Sequence, residues 1–237
     1  MPPARISNDF SLAFNQLENM RLYARLISYL IVGIGVSSAF ANPYQDFLAA
    51  LKQDDGWRVS QLLQRGFSPQ NLGPRRQSGL FLALQEPAPK VARVLVLWPG
   101  ARIDERNADD ETPLMMAALK GHQGVAQLLI ERGADVNKTG WAPLHYAATG
   151  GHVALIELLL EHHAYIDAES PNGTTPLMMA AQYGTLAAVK ALLTAGADPT
   201  LKNQLGLTAE DFAIRAGRQD VGTQIGAAIR AKLPRGW

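Results

Sequence analysis

The motif TPLMMAA at Thr112–Ala118 recurs twice along this chain, as APLHYAA at Ala142–Ala148 and again as TPLMMAA at Thr175–Ala181. The prolines of the three copies are spaced by 30 and then by 33 residues. Each copy is followed by a glycine, by an apolar cluster with two adjacent leucines, and by a turn similar to Gly-Ala-Asp. Self-similarity at such a period is typical of solenoids, so this repeat decides the fold.

Each part of the motif suits a pair of stacked helices. Proline near a helix start is favourable because its missing N–H would have no partner inside the helix. The alanine pair keeps the first helix thin, so that neighbouring units can approach, and the leucines of the second helix bury against the next unit. Gly121, Gly151 and Gly184 are predicted to end the first helices with a positive φ, which glycine adopts most easily.

These segments resemble the ankyrin-repeat family, whose Thr-Pro-Leu-His-x-Ala-Ala, Gly-His and Gly-Ala-Asp-Val-Asn signatures occur here together at a period of about 33 residues. The resemblance implies an all-α solenoid of about five to six helix-turn-helix repeats with β-hairpin-like loops. Gly66 and Gly100 continue the series of turns towards the N-terminus. We therefore predict an ankyrin-repeat domain over 42–237, with repeats near 44–75, 76–107, 108–139, 140–172 and 173–205 and a cap at 206–237.

Several features depart from the family pattern. The step of 30 residues leaves the loop Asn137–Trp141 three residues shorter than the usual hairpin. His163 stands where glycine is normal, so its turn is expected to be strained or differently shaped. Residues Gln85–Pro89 lengthen the loop between the helices of the second repeat.

The helix starts also depart from the family, in which the motif histidine usually bonds the motif threonine. Thr112 and Thr175 are followed by methionine in place of histidine, whereas His145 follows an alanine. Either His145 finds its partner in a neighbouring repeat, or these helix starts are weaker than the family's. The sequence leaves both alternatives open.

Residues 20–41 have the pattern of a secretory signal peptide. Two arginines precede an apolar stretch, Leu26–Val36, and a small-x-small site ends at Ala41. The stretch is shorter than the roughly 20 residues that span a bilayer. We expect cleavage after Ala41, a periplasmic location and no stable membrane insertion thereafter; an N-terminal anchor or a buried helix is the alternative. Acidic residues within 1–19 indicate that Met20 is the true start and that the preceding stretch is a misannotation.

Composition limits the classes of partner and of chemistry. The chain has 22 basic and 21 acidic residues, and removing the three and two within 1–41 leaves 19 of each. A neutral body argues against nucleic acid, because phosphate binding needs a basic surface. The absence of cysteine excludes disulfides, thiolate zinc sites and cysteine nucleophiles.

The candidates for chemistry are few. Among the five histidines, His122 and His152 follow glycine at equivalent places, where the family's histidine is structural. His162 and His163 are adjacent and point apart, whereas zinc needs three or four converging ligands. The methionine pairs are explained by core packing. Known phosphate-binding, dinucleotide-binding and hydrolase motifs are absent from the sequence, so we predict no metal, no cofactor and no enzymatic activity.

The resemblance implies that a partner would contact the hairpin tips and the exposed ends of the first helices. Trp141 is the leading candidate because aromatic residues dominate interface energetics, although it could instead fold down over the short loop. The mixed character of this surface suits a protein ligand better than a polyanion. Carried over position by position, the surface contains Arg75, Arg76, Asp109, Glu111, Leu119, Lys120, Thr139, Trp141, Thr149, Asn172, Thr174, Gln182, Tyr183, Leu207 and Arg215.

The expected function is therefore non-catalytic protein–protein binding by an exported, monomeric ankyrin-repeat protein, as an adaptor or stabiliser of an envelope protein. An immunity-type inhibitor of an exported toxin or envelope enzyme is the alternative. A structural solenoid without a tight partner is a third hypothesis. Fold alone does not distinguish them.

Overall fold

The structure, a computed structural model, describes residues 42–72 and 77–232. The predicted leader and the two arginines at 75 and 76 lie outside these ranges. The chain divides into two units, Met1–Asp46 and Phe47–Trp237. In the first unit, Asn42 caps the start of a helix: its side-chain oxygen accepts a hydrogen bond from the Tyr44 N–H at 3.0 Å.

The described residues form twelve α-helices, of which the last ten pack as five consecutive pairs, and contain no β-strand apart from an isolated bridge between Leu72 and Gln77. The predicted all-α ankyrin-type solenoid is confirmed. In chain order the helices are α1 Pro43–Lys52, α2 Gly56–Gln64, α3 Gly79–Gln85, α4 Pro89–Leu97, α5 Pro113–Lys120, α6 Gln123–Glu131, α7 Pro143–Gly150, α8 Val153–Glu161, α9 Pro176–Gln182, α10 Leu186–Thr194, α11 Ala209–Arg215 and α12 Gln219–Lys232.

The first helices form one row and the second helices form another. From the third repeat onward, neighbouring first helices (α5, α7, α9 and α11) pack more closely together than neighbouring second helices do. Their alanine pairs allow this approach, since Ala117, Ala118, Ala147 and Ala148 have no exposed surface. A stack whose one row is tighter than the other curves towards the tighter row, so the first helices line the inner, concave side.

A methionine sulfur completes the cap of two first helices. The Thr112 hydroxyl accepts a hydrogen bond from the Met115 N–H at 3.3 Å, and the Met115 sulfur accepts one from the Thr112 N–H at 3.3 Å. Thr175 and Met178 repeat this arrangement at 3.4 Å for both bonds. This reciprocal pair is a capping box in which the thioether replaces the usual polar side chain.

His145 finds its partner in the next repeat, which decides between the two alternatives left open by the sequence. Its Nδ1 accepts a hydrogen bond from the Ala142 N–H at 3.1 Å, and its Nε2 donates one to the Thr174 carbonyl at 2.9 Å. The ring is fully buried. It therefore caps its own helix and joins the fourth repeat to the fifth.

The glycines that follow the first helices have two different functions. Gly121 and Gly151 have φ values of 79° and 71°, as predicted. The prediction of a positive φ is wrong for Gly184, because α9 ends one residue earlier, at a Tyr183 with φ of −121°. A Cβ at Gly184 would lie 2.3 Å from the Ala148 carbonyl oxygen, so this position requires glycine for close packing between repeats.

The turns after the second helices follow the predicted series with one exception. Gly66, Gly133 and Gly196 have positive φ values, and His163 adopts φ of 65°, which confirms a strained turn at a residue other than glycine. Gly100 does not share this conformation. The chain leaves α4 through an extended Trp98, and the Trp98 ring covers Gly100.

Side-chain bonds tie the loop of each repeat to the loop of the next. Asp104, Asn137 and Asp167 occupy equivalent positions, and each accepts a backbone N–H of the following repeat at 2.8 to 3.0 Å. Each regular hairpin closes through two backbone bonds, for example from the Asn107 N–H to the Glu111 carbonyl at 3.0 Å and from the Asp110 N–H to the Asn107 carbonyl at 3.1 Å. The result is a continuous row of hairpin tips beside the first helices.

Candidate protein-binding surface

The predicted binding residues differ in their exposure. Asp109, Lys120, Thr139, Asn172 and Tyr183 are exposed. A second group is partly buried: Glu111, Trp141 and Gln182. Thr174 is buried, and Arg75 and Arg76 lie outside the described residues.

Thr174 is wrong as a surface residue. Its side chain is 2% exposed, its N–H donates to the Ser170 hydroxyl at 3.0 Å, and its carbonyl accepts the His145 bond. The residue closes its hairpin and anchors the preceding repeat. A partner cannot reach its side chain without opening that hairpin.

The hairpin of the third repeat carries three consecutive acidic residues with different partners. Asp110 forms ion pairs with Arg106 at 3.1 Å and with Lys138 at 2.6 Å. Among the described residues, Glu111 accepts side-chain hydrogen bonds from two neutral groups, the Asn107 amide at 2.7 Å and the Tyr146 hydroxyl at 3.1 Å. The carboxylate of Asp109 is exposed and has no partner in the described part of the chain. Two of the three negative charges are thus unmatched by a described cation.

Lys138 fills the space left by the short loop of the fourth repeat. Its side chain is almost completely buried, and its ammonium group donates to the Asp110 carboxylate and, at 3.3 Å, to the Thr139 carbonyl. The hydrogen bond from the Lys138 ammonium lowers the pKa of the Asp110 carboxyl. Asp110 also has φ of 60°, so the ion pair holds a residue other than glycine in a left-handed turn.

Tyr146 is a surface residue that sequence reasoning missed. It lies on the inner face of α7, partly exposed, with its hydroxyl on Glu111. Burial, followed by the nearby carboxylates of Glu111, Asp109 and Asp110, raises the pKa of the Tyr146 phenol. The sequence could have indicated Tyr146, because the equivalent position in the two neighbouring repeats is a methionine, Met116 or Met179.

Trp141 is partly buried, and its ring and the His145 ring form a T-shaped contact with centroids 5.2 Å apart. It therefore packs onto the start of α7 and covers the buried histidine. This arrangement corresponds to the alternative in which Trp141 folds down beside the short loop.

Tyr183 lies at the end of α9, in the row of first helices. Its side chain is 60% exposed, and the equivalent position in the fourth repeat is Gly150. A Cβ at Gly150 would lie 2.7 Å from the Leu119 carbonyl oxygen, so no larger residue fits there. The His152 ring, 2.5 Å from that Cβ position, fills the remaining space.

The remaining histidines of the repeat motif act as ties between repeats. The His122 ring bonds the Leu84 carbonyl at 3.2 Å, and the His152 ring bonds the Leu119 carbonyl at 3.1 Å. Arg218 makes the equivalent contact in the last repeat, donating to the Ala180 and Ala181 carbonyls. Across residues 42–72 and 77–232, no group of three or more His, Asp or Glu side chains is placed to hold a metal ion.

Two clefts adjoin the repeats, and the first of them reaches the candidate surface at Asp109. One, of about 430 Å³, borders the start of α3 and the hairpin of the third repeat, where Ser78 donates a hydrogen bond to Glu105. Burial raises the pKa of the Glu105 carboxyl, and the Ser78 bond opposes the shift. The other, of about 440 Å³, lies between the starts of α4 and α6 and is bordered by Lys90 and Arg93.

Stacked helix pairs, with all the first helices in one row, define the class of helical-repeat proteins. A family model described as Ankyrin repeats (3 copies) matches residues 80–170 and 163–225. The chain therefore belongs to the ankyrin-repeat family, whose repeats generally mediate protein–protein interaction.

Relatives occur in animals and in bacteria. The chain is 35% identical over 138 residues to ankyrin repeat and SAM domain-containing protein 6 of Mus musculus, and 35% identical over 152 residues to B-cell lymphoma 3 protein of Homo sapiens. It is 28% identical over 170 residues to an ankyrin repeat-containing protein of Treponema pallidum (strain Nichols). These matches cover 58%, 61% and 71% of this chain but only 12%, 34% and 47% of the three relatives.

Each helix in the described ranges is too short or too polar to cross a bilayer.

Proposed function

We propose that this chain binds another protein through the inner surface of its third to fifth repeats, and that it does so in the periplasm as an adaptor or stabiliser of an envelope protein. The observation that carries the binding proposal is Tyr183, a large aromatic residue that is 60% exposed on the inner row of helices. Tyrosine is among the residue types that dominate the energetics of protein interfaces.

Tyr183 differs from the other residues of the inner row, and this difference supports Tyr183 as part of the binding surface. The alanines of the first helices are buried against neighbouring repeats, and the histidines are bonded to carbonyls, so both have structural functions. Tyr183 differs from them, because most of its side chain is exposed to solvent. A partner that covers the ring would bury apolar surface worth about 25 cal/mol per Å².

The binding proposal is tested by affinity capture with the full chain carrying a C-terminal tag. Wild type and Tyr183→Ala are compared on envelope extract, with Tyr165→Ala as the matched control. Tyr165 is 69% exposed but lies in the loop after α8, outside the row of first helices. We expect one protein to be retained by wild type and the control and to be lost by Tyr183→Ala.

The identity of the captured protein also distinguishes the two finer functions. An envelope protein whose stability depends on this chain supports the adaptor, whereas a toxin or an inhibited enzyme supports the immunity-type inhibitor. Equal retention by all three baits would refute the inner surface as the site.

The proposed export rests on the sequence of residues 20–41, with its arginines, apolar stretch and small-x-small end. N-terminal sequencing of the protein recovered from the periplasm should begin at Asn42. Recovery of a soluble cytosolic chain that retains Met1 or Met20 would refute export while leaving the binding proposal intact.

A further inference from the structure

We propose that the hairpin of the fifth repeat carries a site of spontaneous covalent modification, at which Asn172 rearranges with Gly173 and thereby loosens the contact between the fifth and sixth repeats. The folded hairpin restrains this reaction, so the reaction proceeds when the hairpin opens. The proposal concerns the covalent stability of the chain and goes beyond the proposed function without depending on it.

The chemistry needs only an asparagine, a following glycine and water. The Gly173 amide nitrogen loses its proton and attacks the side-chain carbonyl carbon of Asn172; a new carbon–nitrogen bond closes a succinimide ring, and ammonia leaves with the proton. Water then opens the ring at one of its two carbonyls, which gives either aspartate or isoaspartate, in which the main chain runs through the former side chain. Glycine favours ring closure because it has no Cβ to hinder the attack. Asn172 is the only asparagine of the chain that precedes a glycine.

Hydrogen bonds of the folded hairpin occupy the groups that must react. The Gly173 N–H donates to the Ser170 carbonyl at 2.8 Å, so this bond must break before the nitrogen can attack. The Asn172 side-chain oxygen accepts the Ser170 hydroxyl at 2.6 Å and the Thr174 N–H at 3.3 Å, which fixes the orientation of the side chain. The Ser170 side chain is buried, and its hydroxyl also accepts the Thr174 N–H at 3.0 Å. Opening of the hairpin releases the nucleophile and the side-chain amide together.

The main chain at Asn172 also connects two repeats. Its carbonyl accepts the Gln204 N–H at 3.0 Å, and the Gln204 side-chain amide donates to the Pro171 carbonyl at 2.9 Å. The two hairpins are in direct contact here, since a Cβ at Gly173 would lie 3.4 Å from the Asn203 Cα. Isoaspartate adds a carbon to the main chain at this point and displaces these acceptors. The rearranged chain therefore holds its sixth repeat less firmly.

The rate of conversion is measured by peptide-mapping mass spectrometry on the full chain aged at pH 8, folded and, in parallel, unfolded in guanidinium chloride. We expect Asn172 to be the first asparagine converted in the unfolded chain. Conversion should be slower by about tenfold or more in the folded chain, because opening the hairpin breaks several hydrogen bonds. Ser170→Ala removes the hydroxyl that holds the hairpin and should speed conversion of the folded chain by about two- to tenfold, as for the loss of a hydrogen bond.

Thr185→Ala is the matched control. The Thr185 hydroxyl also accepts one backbone N–H, from Ala188 at 3.1 Å, and donates one bond, to the Gly151 carbonyl at 3.2 Å, but it lies at the start of α10. This variant should convert Asn172 at the wild-type rate. Equal acceleration by Ser170→Ala and Thr185→Ala, or equal rates in the folded and unfolded chain, would overturn the restraint by the hairpin. Faster conversion of another asparagine in the unfolded chain would overturn the site.

The structural consequence has its own test. The converted chain carries an extra negative charge, so ion-exchange chromatography separates it from the unaged chain, and urea denaturation then compares the two. We expect a lower urea midpoint for the converted chain. Asn172→Asp has the charge with an ordinary main chain and should stay close to the unaged chain. A converted, isoaspartate-containing fraction as stable as Asn172→Asp would overturn the loosening of the sixth repeat. Capture from envelope extract with unaged protein decides the proposed function independently.

Discussion

His145 makes the stability of this solenoid depend on pH. Its two ring nitrogens have fixed and different roles: Nδ1 accepts the Ala142 N–H, so Nε2 must carry the proton that it donates to the Thr174 carbonyl. A second proton on Nδ1 would point at the Ala142 N–H. Burial lowers the pKa of the His145 ring, which agrees with this geometry. The folded state therefore holds His145 neutral.

The sign of the pH dependence follows from this lowered pKa. An unfolded chain protonates histidine near pH 6.5, whereas the folded chain does so only at lower pH. Between these values the unfolded state binds more protons, so stability is fully present above about pH 6.5 and falls as the pH is lowered. One proton contributes a slope of at most about 1.4 kcal/mol per pH unit to the free energy of unfolding.

His145→Met isolates this effect, because Met115 and Met178 already occupy the equivalent position. The methionine sulfur can accept the Ala142 N–H, as it accepts the threonine N–H in the two neighbouring repeats. It cannot donate to the Thr174 carbonyl, which keeps its bond from the Ser170 N–H at 3.0 Å. The variant therefore loses one hydrogen bond, at a cost of about 0.5–1.5 kcal/mol. We expect the variant to be less stable than wild type at pH 8, and the difference to shrink as the pH falls towards 5.

Urea denaturation followed by circular dichroism at pH 8, 7, 6 and 5 measures both effects. His162→Met is the matched control, since His162 is exposed at the end of α8, and this variant should keep the wild-type pH dependence. Parallel curves of unfolding free energy against pH for wild type and His145→Met would show that His145 is not held neutral in the folded chain.

Three further changes test other features of the stack. Gly184→Ala should cost about 1–3 kcal/mol by overpacking against the Ala148 carbonyl, whereas Gly124→Ala, which has open space, should be neutral or stabilising; equal urea midpoints would contradict the close approach. His163→Gly should stabilise by about 0.5–1 kcal/mol because it relieves a left-handed φ, and a lower thermal midpoint than wild type would refute this strain. Asp110→Asn keeps the turn but removes the carboxylate that pairs with the buried Lys138 ammonium, so the urea midpoint should fall. The pKa of Asp110 is lowered in the folded state, so wild type should lose this advantage only as the pH falls below about 4. An unchanged midpoint at pH 7 would count against the ion pair.

The sequence predicts the fold well because its repeated motif specifies the same helix pair several times. Pro143 and the alanines at 147 and 148, for example, fix the start and the thinness of α7 wherever the neighbouring repeats lie. Gly184 marks the limit of this reasoning. A glycine after a first helix satisfies either a left-handed turn or a close approach between repeats, and the motif is identical in the two cases.

The binding surface is harder to predict because exposure depends on contacts between repeats. Thr174 and Tyr146 illustrate this. The buried Thr174 bonds a histidine 29 residues before it through its carbonyl, and Tyr146 bonds a carboxylate 35 residues before it. Neither relation follows from the period of the motif, since the neighbouring repeats have methionine in place of His145 and of Tyr146. The repeated geometry thus gives the positions on the inner face, while residues that break the repeat, such as Tyr146 and Tyr183, determine the chemistry of the proposed binding surface.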